Sequence, residues 1–251
     1  MKTFKLMGGL GDCLLVGAVL QKLDRPVDFI TNKLLEPVFE HHPKINFFSN
    51  GNAQYEFKWV SQIKEKNLYG LHTIQRFSSQ LGFYLDPTEV LNVYGENGLP
   101  IINRGGFDIV VNQYSAEGHR RCIPDKYVDM IYEIADGDFA VKLIGSNDLK
   151  YGESTTSIKS MIDLLSGAKL FIGPVSFCYH LAACLRVNSV LFTSYMPPHK
   201  FSHFTNTAHI TANAQCSFMC EQNNRACLPD CMAYSYDDDE VYKTLCKKIK
   251  T

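Results

Sequence analysis

Short apolar runs and longer stretches of helical spacing alternate along this chain, and the alternation starts twice. In the first part, residues 4–7, 27–31, 45–49 and 55–60 read as strands, each a compact run close to Gly, Asn or Pro. Residues 13–23 follow the first of them as a helix whose small residues, Gly17 and Ala18, permit close packing on a sheet. Asn32 caps a second helix that reaches His41. Leu71, Ile74, Phe77 and Leu81 share one face of a third, over residues 71–83, and residues 90–94 read as extended. Residues 95–106, rich in Gly, Asn and Pro, then form a linker.

Past the linker the pattern resumes. Residues 107–112, 140–145, 170–172 and 189–192 predict strands, and residues 124–134, 157–165 and 238–249 predict helices. The strand at 170–172 is expected to stop at Gly173-Pro174, because proline has no N–H for a sheet ladder. Ser176 then serves as an N-cap, and Leu181, Ala182 and Leu185 line one side of the helix it opens. Strands alternating with helices twice over predict an α/β fold in two halves, residues 1–105 and 106–251, with mostly parallel sheets. On this reading the last helix, 238–249, is free to pack back on the N-terminal half.

Composition narrows the function. The 251 residues are 45% hydrophobic and 20% charged, as in a folded globular chain, and a formal charge of −1 supplies no general attraction to nucleic acid. The apolar stretch 14–20 is too short to span a membrane and lacks the flanks of a signal peptide. A cytoplasmic protein is therefore expected, with its nine cysteines as thiols or ligands more than disulfides.

Ligands of open α/β sheets sit beyond the C-terminal strand ends, and each half places a loop there. Gly8-Gly-Leu-Gly-Asp12 lets backbone approach a ligand closely, but it lacks the spacing of a dinucleotide fingerprint. Asp12 at its end reads first as a helix cap, and the functional alternative is a general base aimed into the site. Residues 173–180 break a strand into a helix, which leaves N–H groups unpaired at the helix's positive end, where anions bind. His180 stands one turn inside that helix, on the face that Ser176 begins. An ordinary buried strand–helix junction has the same pattern.

Together these segments resemble one family. Gly8-Gly-Leu-Gly-Asp-Cys-Leu-Leu15 resembles the amino-terminal motif of the heptosyltransferase-like glycosyltransferases (family 9, ADP-heptose:lipopolysaccharide type). Gly173-Pro-Val-Ser-Phe-Cys-Tyr-His-Leu-Ala-Ala183 is similar to that family's second signature, usually Gly-x-Asp-Ser/Thr-Gly-x-x-His-Leu-Ala-Ala. Arg120-Arg-Cys-Ile-Pro124 resembles its basic-x-x-Pro element, and Lys142-Leu-Ile-Gly145 and residues 164–172 keep its order.

The resemblance implies a GT-B architecture: two Rossmann-like α/β domains with parallel sheets facing across a cleft. Residues 1–105 would form the acceptor side and residues 106–251 would hold the nucleotide-sugar donor. It implies an inverting, metal-independent glycosyltransferase that moves a sugar from a nucleotide-diphosphate-sugar to a hydroxyl acceptor, with no cofactor. Asp12 would be the base, and Gly8, Gly9 and Gly11 the glycine turn at the cleft. Ser176, the amides near Phe177, His180 and Arg121 (with Arg120 as its rival) would hold the donor diphosphate. Asp148 and Glu153 are candidates for the ribose hydroxyls. The acceptor would be a glycan, a lipid-linked saccharide or a modified DNA base such as viral DNA glycosyltransferases take; the basic residues Lys58, Lys64 and Lys66 permit the last. Val175 stands where the family has Asp, and Phe177 where it has Gly. Those departures keep a second class open, a catalytically inactive nucleotide-sugar-binding protein.

Other clusters read more plainly. Cys216, Cys220, Cys227 and Cys231 lack the spacing of a standard zinc ribbon, so buried thiols or a disulfide are expected there in place of zinc. His199, His203 and Tyr195 lie in a Pro-rich loop past a strand end, His41-His42 closes a helix, and residues 237–240 start one with acidic charge.

Overall fold

The computed structural model describes residues 1–58, 71–93, 106–114, 122–144, 157–193, 206–213 and 235–251. Sheet 1 contains β1 (Lys2–Lys5), β2 (Val27–Ile30), β3 (Ile45–Phe48) and β4 (Tyr55–Glu56), all parallel, in the order β3-β2-β1-β4. Sheet 2 contains β5 (Ile109–Asn112), β6 (Val141–Ile144), β7 (Leu170–Pro174), β8 (Asn188–Thr193) and β9 (Thr207–Thr211), also parallel, in the order β6-β5-β7-β8-β9. The helices are α1 (Leu10–Leu20), a 3-10 turn (Lys33–Leu35) running into α2 (Glu36–Phe39), α3 (Thr73–Ser79), α4 (Asp125–Ala135), α5 (Ile158–Gly167), α6 (Phe177–Cys184) and α7 (Asp238–Ile249).

One apolar core joins the two sheets. Phe4, Val27, Phe29 and Ile45 from sheet 1 pack with α1, Ile74 and Phe77 of α3, Ile162 and Leu165 of α5, Leu181 of α6, and Val110, Phe171 and Leu191 from sheet 2. Helix α1 is buried from Cys13 through Leu20 because it has neighbours all round, which explains an apolar stretch with no polar stripe. At Gly17 an added Cβ would meet Phe39 Cε1 at 3.0 Å and Leu91 Cδ1 at 3.2 Å, so the helix needs a residue without a side chain there.

The second core lies on the other face of sheet 2. Ile109, Val111, Leu170, Ile172, Val190 and Phe192 alternate with the residues facing the first core, the period of a strand buried on both sides. Helix α4 covers them with Tyr127, Val128 and Ile131, and α7 with Val241, Leu245 and Ile249. The sequence left α7 free to return to the N-terminal half. Instead it packs on α4 and β9, tied by Tyr127 Oη donating to Asp238 Oδ1 at 2.6 Å and by the Lys126–Asp238 ion pair at 2.7 Å.

Several boundaries differ from the sequence reading. β1 runs over Lys2–Lys5, not 4–7, since it alternates a buried Phe4 with Thr3 and Lys5 on the more open face. Helix α1 starts at Leu10, so Gly11 and Asp12 are helical and not part of a tight turn; Gly9 is the N-cap, and the Cys13 N–H already donates to its carbonyl at 3.1 Å. β7 continues through Gly173 and Pro174, which pair with Leu191 and Phe192. Proline is admitted there because pairing with β5 has already ended at Ile172. β9 was not foreseen, and β4 is two residues long. Residues 90–93 adopt no regular strand; they are clamped by Gln21, whose Nε2 donates to the Val90 carbonyl and whose Oε1 accepts from the Asn92 N–H at 2.9 Å. The linker at 95–105 lies outside the described residues.

His42 yields a pH-dependent stability. It is buried beyond α2; its Nδ1 accepts from the Lys44 N–H at 3.2 Å, while its Nε2 finds no partner among the described residues. Burial, helped by the Lys44 charge, pushes its pKa down to about 4, whereas an unfolded chain keeps it near 6.5. The unfolded state therefore binds the proton first as pH falls. Stability should drop between pH 6.5 and 4, by on the order of 1–2 kcal/mol, and His42→Gln should flatten that part of the curve in urea titrations. An unchanged slope in the variant would refute the assignment.

Candidate active site

Helix α1 follows β1 in sheet 1, and α6 follows β7 in sheet 2, so both first turns stand at C-terminal strand ends. In sheet 2 the connection through α4 and the connections through α5 and α6 run to opposite sides of β5 and on opposite faces. The chain thus reverses direction between β5 and β7, where α/β sheets open a crevice.

The two first turns meet. A Cβ built on Gly11 would fall 2.8 Å from His180 Cδ2 and 3.5 Å from His180 Nε2, so the Cδ2 edge of the imidazole lies against the glycine backbone of α1. Only a residue lacking a side chain allows this approach, which accounts for a glycine inside a helical first turn despite its poor propensity. Asp12 is the next residue, half-buried, in the same first turn. Its Oδ2 lies 3.0 Å from the Cβ position of Gly9, so the carboxylate bends over the opening of its own helix. The positive end of α1 favours its charge. Of the other glycines, Gly9 caps the helix and Gly8 precedes it, half-buried.

On the opposite wall, Ser176 caps α6: its Oγ accepts from the Tyr179 N–H at 3.4 Å, and its carbonyl accepts from the His180 N–H at 3.2 Å. The amides of Phe177 and Cys178 come before these in the first turn and point out of the helix end. His180 itself is 8% exposed. Val175, where the resembling family has an acid, is 5% exposed and belongs to the shared core, and Phe177 packs partly against the same core. The local sequence therefore uses both departures for packing.

Thiols here are shielded from chemistry. Burial pushes Cys178 up to about 12 and Cys13 up to about 11, and Cys13 Sγ faces the Leu6 carbonyl at 3.7 Å. Neither offers a thiolate near neutral pH. Among the described residues no group of three or more His, Cys, Asp or Glu side chains could hold a metal ion. Arg120, Arg121, Asp148, Glu153, Tyr195, His199, His203, Lys64, Lys66 and the four cysteines Cys216, Cys220, Cys227 and Cys231 lie outside the described residues.

Two neighbours of the site escaped the sequence reading. Asn112 and Gln113, at the end of β5, are 2% and 4% exposed and reach the openings of α6 and α4. The one signal that could have found them is a pair of amides where a parallel strand gives way to a loop.

No family model matches the sequence, and no curated protein matches it by sequence. Solved structures do match in shape. TibC, an iron-containing dodecameric glycosyltransferase from enterotoxigenic E. coli, aligns over 99% of this chain and 77% of its own with a TM-score of 0.71 at 12% identity. A family 9 glycosyl transferase from Veillonella parvula aligns over 98% of this chain and 96% of its own, with a TM-score of 0.70 at 11% identity. ADP-heptose lipopolysaccharide heptosyltransferase II of E. coli aligns over 100% of both chains, with a TM-score of 0.61 at 11% identity. The chain has the heptosyltransferase-like, two-sheet GT-B fold that its motifs imply.

Proposed function

We propose that this chain is a glycosyltransferase that takes a nucleoside-diphosphate-sugar and passes the sugar to a hydroxyl acceptor with inversion. The observation that carries the reading is the contact of His180 with Gly11. It sets an anion-binding helix end from one sheet against the first turn that bears Asp12 in the other. The leaving diphosphate develops charge as the sugar departs. Helix-end amides at Phe177 and Cys178, the Ser176 hydroxyl and His180 are the groups that meet it. Arg121 or Arg120 would add a cation. In this scheme residues 106–251 hold the donor, and Asp12 removes the acceptor's proton as the hydroxyl attacks the far side of the sugar. Fold neighbours with ADP and with ADP-heptose bound lend weight to a nucleotide-sugar donor.

No step in this scheme needs a metal, so chelation by EDTA should leave transfer unchanged. TibC is described as containing iron. That description concerns TibC; in this chain the expected insensitivity to chelation is what the test reads.

The donor is found by a panel. One of ADP, GDP, UDP and CDP should raise the unfolding midpoint: a ligand at a hundred times its Kd adds about 2.7 kcal/mol, which corresponds to roughly 5–10 °C in a chain of this size. No shift and no calorimetric heat with any of the four would refute the donor site. A second reading, a nucleotide-sugar-binding protein without turnover, draws on the Asp12 carboxylate bending back over Gly9 at the positive end of its own helix. Transfer to any acceptor excludes it.

A further inference from the structure

In the sequence, Asn112 is only the last residue of a strand. In the structure it stands where sheet 2 reverses direction, across from the opening of α6. Its Nδ2 donates to the Tyr114 carbonyl at 2.9 Å and to Ser176 Oγ at 3.1 Å, 64 residues away. The first bond settles the orientation of the amide, because only its NH2 end can face a carbonyl oxygen. Ser176 Oγ therefore receives an N–H from Asn112 and another from the Tyr179 backbone at 3.4 Å. A hydroxyl has two lone pairs and one proton. With both lone pairs engaged, the oxygen has only its hydrogen left to offer, and Ser176 is half-exposed at the helix end.

We propose that Asn112 is a positioning residue that locks the Ser176 hydroxyl as a hydrogen-bond donor to the diphosphate of the sugar donor. This rests on the nucleoside-diphosphate reading given above. The same strand end braces the other face of the sheet. Gln113 Nε2 donates to the Ile123 carbonyl at 3.2 Å and to the Asp125 carboxylate, and the Ile123 N–H returns to the Gln113 carbonyl at 2.9 Å. Consecutive side chains, Asn112 closing β5 and Gln113 just past it, thus hold the openings of α6 and α4 on opposite sides. The chemistry asks for an amide at 112. Aspartate would accept the Ser176 proton and set a negative charge beside the phosphates. Alanine would free the hydroxyl to rotate and to spend its proton on a neighbouring carbonyl.

The test is a double-mutant cycle by calorimetry on the full chain, using whichever of ADP, GDP, UDP and CDP binds tightest. Asn112→Ala and Ser176→Ala should each weaken binding by about tenfold, the scale of one hydrogen bond to a charged group. The double variant should be no weaker than Ser176→Ala within about twofold, since Asn112 acts only through that hydroxyl. Losses that multiply, or full affinity in Asn112→Ala, would overturn the proposal while leaving the diphosphate site standing. Wild-type chain that binds none of the four diphosphates would overturn that site and this inference together. Should Asn112→Ala fail to fold, Asn112→Asp keeps the shape and decides: at least a tenfold loss with cooperative unfolding supports the role, and unchanged affinity removes it.

Discussion

Replacing Asp12 by Asn should lower turnover by roughly 10²–10⁴-fold while the nucleoside diphosphate still binds within about twofold of wild type. The substitution removes a proton acceptor and little else. Asn keeps the size of the side chain and its tolerance near a helix start, and the first turn of α1 is held by the Cys13 N–H to Gly9 carbonyl bond in either case. The readout is diphosphate release from the nucleotide-sugar that the wild type consumes, set beside calorimetric binding of the diphosphate alone. A fall in turnover with intact binding assigns Asp12 to the chemical step. Activity kept within a few-fold would leave Asp12 as an acidic residue suited to the positive end of α1, and the base would have to be sought elsewhere on the acceptor side.

The largest expected loss of stability comes from adding one carbon at Gly173. A Cβ there would fall 2.5 Å from Phe171 Cζ and 2.8 Å from Cε1, with the Asn112 carbonyl oxygen at 3.3 Å. The Phe171 ring is fully buried and lies over the glycine in the same strand. It cannot swing away without disturbing the core shared by the two sheets, and the Asn112 oxygen belongs to the neighbouring strand's backbone. Gly173→Ala should therefore cost about 3 kcal/mol, the upper part of the usual range for overpacking, and lower the unfolding midpoint by roughly 6–12 °C. Because the added atom presses on Asn112 as well, diphosphate binding should weaken even below the melting transition. A midpoint within 2 °C of wild type, on the same scale, would show that the ring moves freely.

Much of this fold is visible one segment at a time. The strand periods of β2, β3, β5 and β8 and the helical periods of α4 and α7 are within a few residues of their observed bounds. Asn32, Ser157, Ser176 and Asp237 each cap the element they precede, through side-chain oxygens that accept from backbone N–H groups two or three residues on. These outcomes depend on groups close together in the chain, so composition over a short window decides them. The motifs at Gly8–Asp12 and Gly173–Ala183 could be read for the same reason.

The misreadings share a different cause. Pro174 looks like a strand breaker until the ladder with β8 is seen to run on after the one with β5 has ended. Gly11 reads as part of a tight glycine turn until His180 is found against it, more than a hundred residues away in sequence. Gln21 carries no signal in the sequence, yet its amide secures the backbone at Val90 and Asn92 across 69 and 71 residues. Asn112 carries no motif and gains its part from Ser176 on the adjacent strand's loop. Residue order settled the periods, the caps and the two loops at C-terminal strand ends, because those follow from covalent neighbours and backbone sterics. Folding in three dimensions chose which glycine must stay bare, which proline is tolerated and which amide directs a hydroxyl, because each depends on a partner brought near by sheet order and core packing.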